Sequence, residues 1–191
     1  MEQQIIKLLN ESIKIKQLLV ENKQQIEIIS KVVQHIIDVY KNNKKVIVFG
    51  NGGSAADAQH MVAELIGRYK KERKPLEAIS LNTNVSTLTA LGNDYGYEIV
   101  FSRQLESCAK QGDVVIGITT SGKSKNVIKA IEVAKKIGCV TVALTGGDGG
   151  EIKNLVDYCI CVPSYDTPRI QEAHITIIHI ICDLVEQTIF G

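Results

Sequence analysis

Four short apolar runs constrain this chain more than any other feature. KVIVF at residues 45–49, DVVIGI at 113–118, CVTVAL at 139–144 and YCICV at 158–162 each run on without a polar face. A strand wetted on one side alternates, whereas an unbroken apolar strand is buried on both faces. Between the runs lie helical stretches, predicted over 54–69, 85–91, 96–110, 124–137, from 151, and 168–190, with a further strand over 76–81. Strands of this kind alternating with crossover helices build an α/β fold, here a five-stranded parallel sheet covered on both faces. Ligands of such sheets bind outside the carboxyl ends of the strands, near a topological switch. Three strand ends carry special chemistry: 50–54, 119–124 and 145–150.

Residues 4–41 precede the first strand and read as helix. Apolar residues recur at Ile5, Leu9 and Ile13, then at Ile26, Ile29, Val33 and Ile37, with no Gly or Pro between. The length predicts a break near 20–24. Residues 1–42 are expected to act as an N-terminal oligomerisation arm, the alternative being a cover for the chain's own core. Residues 43–191 form the α/β core of a single domain, in keeping with a length of 191 residues.

Charge and composition exclude several functions. The 22 Lys+Arg against 21 Asp+Glu leave a net charge of +1, too little for a general nucleic-acid binder. Trp is absent and aromatics are 5%, so no stacking platform for single strands is expected. The N-terminus carries Glu2 and no apolar h-region, and the longest apolar runs are too short to span a bilayer, so no membrane partner is expected. Five cysteines without a C-x-x-C pair fit free thiols in a reducing cytoplasm. Cys159 and Cys161 are expected on opposite faces of their strand, hence poor joint metal ligands.

Gly50, Asn51, Gly52, Gly53, Ser54 and Ala55 can be read as a dinucleotide G-x-G-x-x-A turn. The next strand, however, ends in Asn82, Thr83 and Asn84, with no acid for a ribose. What remains is a close backbone approach and a helix N-terminus with free amides. Thr119, Thr120, Ser121 and Ser124 surround Gly122 between a strand and a helix. Hydroxyls beside unsatisfied helix amides suit a phosphate monoester, and four exceed what an N-cap requires. No P-loop pattern is present, so no triphosphate is implied.

His60 and Glu64 stand four residues apart and share a helix face, either as an ordinary ion pair or as part of a site. His35 lies among Val32, Val33 and Ile36 and reads as packing. The apolar C-terminal helix carries Gln171, Glu172, His174, His179 and Asp183, whose polar groups all need partners.

Taken together, NGGSAADAQHMVAELIGR at 51–68, LGNDYGY at 91–97, TTSGKSKN at 119–126 and RIQEAHITIIH at 169–179 closely resemble the phosphoheptose isomerases of the SIS sugar-isomerase superfamily. The resemblance runs from about residue 30 to the C-terminus. It implies a three-layer α/β/α sandwich, a homotetramer with sites at subunit interfaces, and conversion of D-sedoheptulose 7-phosphate to D-glycero-D-manno-heptose 7-phosphate for bacterial surface polysaccharide. It implies one Zn2+ per subunit held by His60, Glu64, Gln171 and His179, with Glu64 as base and His179 as acid. Substrate contacts carried over are Asn51, Gly52, Gly53, Asn93, Asp94, Thr119, Thr120, Ser121, Ser124 and Gln171. The chain reads Thr119 where some members have Ser, and Pro168, two residues after Asp166, where some place an acid. A non-catalytic adaptor of the same superfamily, which associates with a replication initiator, is the alternative; it would be expected to lack Glu64 and His179.

Overall fold

The computed structural model describes all of residues 1–191. Two helices come first, α1 (Glu2–Glu21) and α2 (Lys23–Lys41). They are followed by β1 (Val46–Gly50), α3 (Gly53–Ile66), β2 (Ala78–Ser80), α4 (Val85–Tyr95) and, after a 3-10 turn over Tyr97–Ile99, α5 (Val100–Cys108). The chain closes with β3 (Val114–Ile118), α6 (Lys125–Ile137), β4 (Val140–Gly146), a second 3-10 turn over Glu151–Asn154, β5 (Tyr158–Val162) and α7 (Thr167–Phe190). All pairings are parallel, in the order β2-β1-β3-β4-β5. The fold is the expected three-layer α/β/α sandwich.

The apolar runs divide their side chains between two cores. Val46, Val48, Ile116 and Leu144 face α2, α3 and α7, while Ile47, Phe49, Val115 and Ala143 face α5 and α6. β1 lies between β2 and β3, so the chain turns opposite ways on leaving β1 and β3. That switch point opens a crevice between the loops that follow these two strands.

The N-terminal helix breaks where its length required. Asn22 leaves helical geometry, and its side chain accepts from Gln25 N at 3.2 Å to cap α2. The two halves differ in burial. α1 exposes Ile5, Leu9 and Ile13, whereas α2 buries Val32, Val33, Ile36 and Ile37 on the sheet. α2 is therefore part of the core, whereas α1 rests on α7, with Arg169 Nη1 donating to Leu8 O, and leaves Ile5, Leu9 and Ile13 exposed. Burying those four α2 side chains is worth roughly 6–12 kcal/mol, comparable to the whole stability of an ordinary domain.

Other boundaries moved as well. The stretch 96–110 is a 3-10 turn followed by a shorter helix, because Gly96 at φ 90° cannot continue α4. The expectation for Cys159 and Cys161 was wrong. Residues i and i+2 of a strand point to the same face, and the two sulfurs lie 3.6 Å apart beside Thr145 Oγ1. α7, moreover, is long and apolar enough by composition to cross a membrane, contrary to the reading of its shorter runs. In this fold Ala173, Ile177, Ile181 and Val185 spend that apolarity on the sheet.

Candidate active site

The site begins with two loops at the switch point. β1 ends at Gly50, where a Cβ would come within 2.8 Å of Ile118 O and 2.7 Å of Ser54 Cβ, so only glycine lets β1, β3 and α3 meet. Gly52 at φ 58° then starts α3 with no side-chain cap; Ser54 N and Ala55 N donate back to Asn51 O and Gly52 O, which leaves the Gly52 and Gly53 amides free. α6 starts likewise. Ser124 occupies its N-cap position but does not cap with its own side chain; its hydroxyl lies 3.0 Å from Thr119 Oγ1 instead, and Asn126 Oδ1 accepts from Val127 N at 3.0 Å. The hydroxyls of this loop are thus not consumed by capping. Ser121 Oγ accepts from Lys123 N at 3.2 Å, and Thr120 O accepts from Gly146 N at 3.0 Å, which ties the loop to the end of β4.

A residue missed in the sequence joins the two loops. Asn126 is buried, and its amide exchanges two 2.9 Å hydrogen bonds with that of Asn51. Tyr97 Oη donates to Asn51 Oδ1 at 3.3 Å. The Asn51 side chain is therefore engaged with Asn126 and Tyr97, and its free contribution to a ligand is backbone. An Asn in the first turn of a helix whose neighbours Val127 and Ala130 are buried was the available signal.

The second half of the site lies between α3 and α7. His60 Nε2 lies 3.0 Å from Glu64 Oε1, as the i, i+4 spacing required, and 3.2 Å from His179 Nε2. The ligand atoms of His60, Glu64 and His179 all fall within 4.8 Å of one another. Two imidazole nitrogens and a carboxylate oxygen converge with too few protons to satisfy all three, which is what a divalent cation resolves. Two imidazoles and a carboxylate are a donor set that suits a divalent cation. Glu64 and His179, whose absence would mark an adaptor, face each other here.

Gln171 stands nearer the start of α7. Eight residues, about 12 Å of helix, separate it from His179. Its amide packs on Gly53 so closely that a Cβ there would come within 2.5–2.9 Å of it. Gln171 thus lies beside Gly53 at the start of α3, while His60, Glu64 and His179 of the four expected ligands converge. Asn93 and Asp94 are exposed on α4 and pair with each other at 2.8 Å; none of their hydrogen bonds reaches either loop. Asp166 stands at the N-cap of α7 without a side-chain capping bond.

Asp57, also missed, lies one turn before His60. One of its carboxylate oxygens is buried without a partner. Burial pushes its carboxyl up to about 6, and the nearby His60 only partly opposes that.

Comparison with known proteins agrees with this geometry. The family model described as SIS domain matches residues 12–146. A phosphoheptose isomerase of Geotalea daltonii is 61% identical over 163 residues, 85% of either chain. One from Sulfurimonas denitrificans is 52% identical over all 191 residues, 98% of its own length. The solved structure of a phosphoheptose isomerase from Neisseria gonorrhoeae superposes with a TM-score of 0.91 at 40% identity, covering 97% of this chain and 98% of that one.

Proposed function

The chain belongs to the SIS-domain family and, within it, to the phosphoheptose isomerases, and from that premise we propose that it converts D-sedoheptulose 7-phosphate to D-glycero-D-manno-heptose 7-phosphate. It does so in the cytoplasm, as a homotetramer, to supply heptose for a bacterial surface polysaccharide. The observation that carries this reading is the meeting of Glu64 and His179 across α3 and α7 on the same sheet end as a hydroxyl-rich, uncapped phosphate loop.

Exchange between ketose and aldose moves one proton between C1 and C2 through an enediol and requires proton transfer at the two oxygens. Glu64 is the base: Oε1 is held by His60, and Oε2 is left to carry the proton. His179 is the acid that serves the oxygens. Thr119, Thr120, Ser121 and Ser124, with the first amides of α6, hold the phosphate. The amides of Gly52 and Gly53, with Gln171, orient the chain of hydroxyls, and Asn93 and Asp94 contribute from α4. One Zn2+ per subunit, held by His60, Glu64 and His179 with Gln171 as the fourth ligand, would when bound supply Lewis-acid polarisation of the carbonyl.

The test is incubation of the purified protein with sedoheptulose 7-phosphate, following aldose formation before chelation, after it, and after zinc is restored. Aldose formation that falls on chelation and returns with zinc is expected. No aldose from the zinc-restored protein would overturn the reading.

A further inference from the structure

We propose that Glu186 and Arg73 are positioning residues for this reaction: a buried strap that locks the end of α3, and with it Glu64, onto the helix carrying His179. The inference rests on the catalytic reading of Glu64 and His179 above.

Glu186 lies seven residues beyond His179 on α7, about two turns along the same side. It is 1% exposed, between Val185 and Gln187. Its Oε1 accepts from Lys70 N at 2.8 Å and Lys71 N at 2.9 Å, and its Oε2 from Tyr69 N and Arg73 Nε at 3.0 Å each. Burial alone would raise this carboxyl. The amides of Lys70, Lys71 and Tyr69 and the Arg73 guanidinium outweigh it and hold the group below its ordinary value, so it stays ionised.

Arg73 carries the connection onward. Nη2 donates to Glu64 O at 2.8 Å and Nη1 to Leu65 O at 2.7 Å, both in the last turn of α3. Helix ends leave such carbonyls without intrahelical partners. One guanidinium thus joins a carboxylate on α7 to the backbone of the base. The same segment lays the Tyr69 ring 5.9 Å from the His179 ring. Both reacting side chains are therefore reached, Glu64 through its carbonyl and His179 through Tyr69.

A second buried pair shows what ordinary fold support looks like. Lys45 Nζ and Asp113 Oδ2 are 2.9 Å apart and almost as buried, but they lie at the amino ends of β1 and β3, opposite the site. The strap differs in what it touches. A misplacement of about 1 Å in an acid–base site lowers turnover by roughly a hundredfold.

The experiment measures kcat, KM and Tm on sedoheptulose 7-phosphate for Arg73→Lys, Glu186→Gln and, as the remote counterpart, Asp113→Asn. Lysine keeps the charge but cannot serve a carboxylate and two carbonyls together. Arg73→Lys and Glu186→Gln are expected to lower kcat at least about tenfold with KM within about twofold, because the phosphate contacts lie elsewhere. Asp113→Asn is expected to lower Tm and leave kcat within about twofold. If the strap variants lose only Tm, as Asp113→Asn does, the proposal is overturned. Should they fail to fold, Glu186→Asp decides: it keeps the charge but shortens the reach to the three amides and Arg73, so a roughly tenfold fall in kcat at constant KM supports the strap and an unchanged kcat removes it. A wild type without isomerase activity would overturn the functional reading and this role with it.

Discussion

His174 makes the stability of this protein depend on pH in a way that can be worked out from its surroundings. The ring is fully buried on α7, with Nε2 3.1 Å from Thr145 O. A carbonyl only accepts, so Nε2 must carry the hydrogen, and Nδ1 is left as a bare lone pair with no donor. Protonation would place a charged N–H at Nδ1 with nothing to receive it. Burial therefore drives the pKa from 6.5 down to about 4, with the Thr145 carbonyl opposing weakly. Above pH 6.5 neither folded nor unfolded chain holds the proton, and the group has no effect. Between 6.5 and 4 the unfolded chain takes it up and the folded one does not, so stability falls as pH falls. The drop from 6.5 to about 4 corresponds to about 3 kcal/mol once both limits are passed.

Asp57 acts in the opposite direction. Its carboxyl, raised to about 6, binds a proton in the folded state first, so acid stabilises the fold there; half-burial and solvent screening reduce this to about 1 kcal/mol. The two effects partly cancel in the wild type, which is why a variant is needed. His174→Gln keeps a donor for Thr145 O and cannot titrate. Urea unfolding of both proteins, at one protein concentration and at pH 7.5, 6.5, 5.5 and 4.5, separates them. The wild type is expected to lose about 2–3 kcal/mol relative to the variant between pH 7.5 and 4.5. Parallel curves, constant within about 0.5 kcal/mol, would refute the assignment.

Glu64→Gln is expected to lower turnover at least about a thousandfold with Tm little changed, since shape is kept and basicity lost; single-turnover isomerisation with activity within tenfold would remove Glu64 as base. Ser121→Ala and Ser124→Ala are expected to raise KM for sedoheptulose 7-phosphate, each removing about 1 kcal/mol of binding. They should leave unphosphorylated sedoheptulose unaffected, and a wild type showing no preference for the phosphorylated sugar would contradict the phosphate loop. Deletion of residues 1–21 is expected to reduce mass per assembly by light scattering while the fold survives, because α2 stays in place; unchanged mass would make α1 an intrachain cover.

How much of this was visible in the sequence depended on what each pattern measures. An unbroken apolar run reports burial on both faces, and the runs ending in Phe49, Ile118, Leu144 and Val162 all became strands of a parallel sheet. The stripe of a helix reports only that one side is covered. It reads the same whether the cover is the chain's own sheet, as for Ile36, or lies elsewhere, which is why α2 was assigned to the arm. His60 and Glu64 were legible because four residues close one helical turn. Their approach to His179, 119 residues away, came from family resemblance and not from spacing. Glu186 had a signal that went unused: an acid between Val185 and Gln187 in an apolar helix needs donors, and four were waiting in the segment after α3.

The parallel order also governs when the site can exist as the chain folds. β1 finds its central neighbour β3 only 68 residues later, with Val46 paired to Val114. His60 meets His179 only after every strand has been passed. Contacts of such sequence separation close late and slowly, because loop entropy is lost before they reward it. A chain that has not yet docked α7 shows the face bearing Val48, Ile116 and Leu144 to its neighbours, an aggregation hazard at high concentration. α7 thus completes the cover begun by α2 and α3 and brings His179 to the site in the same step, so a molecule with a formed triad has also closed this face of its sheet.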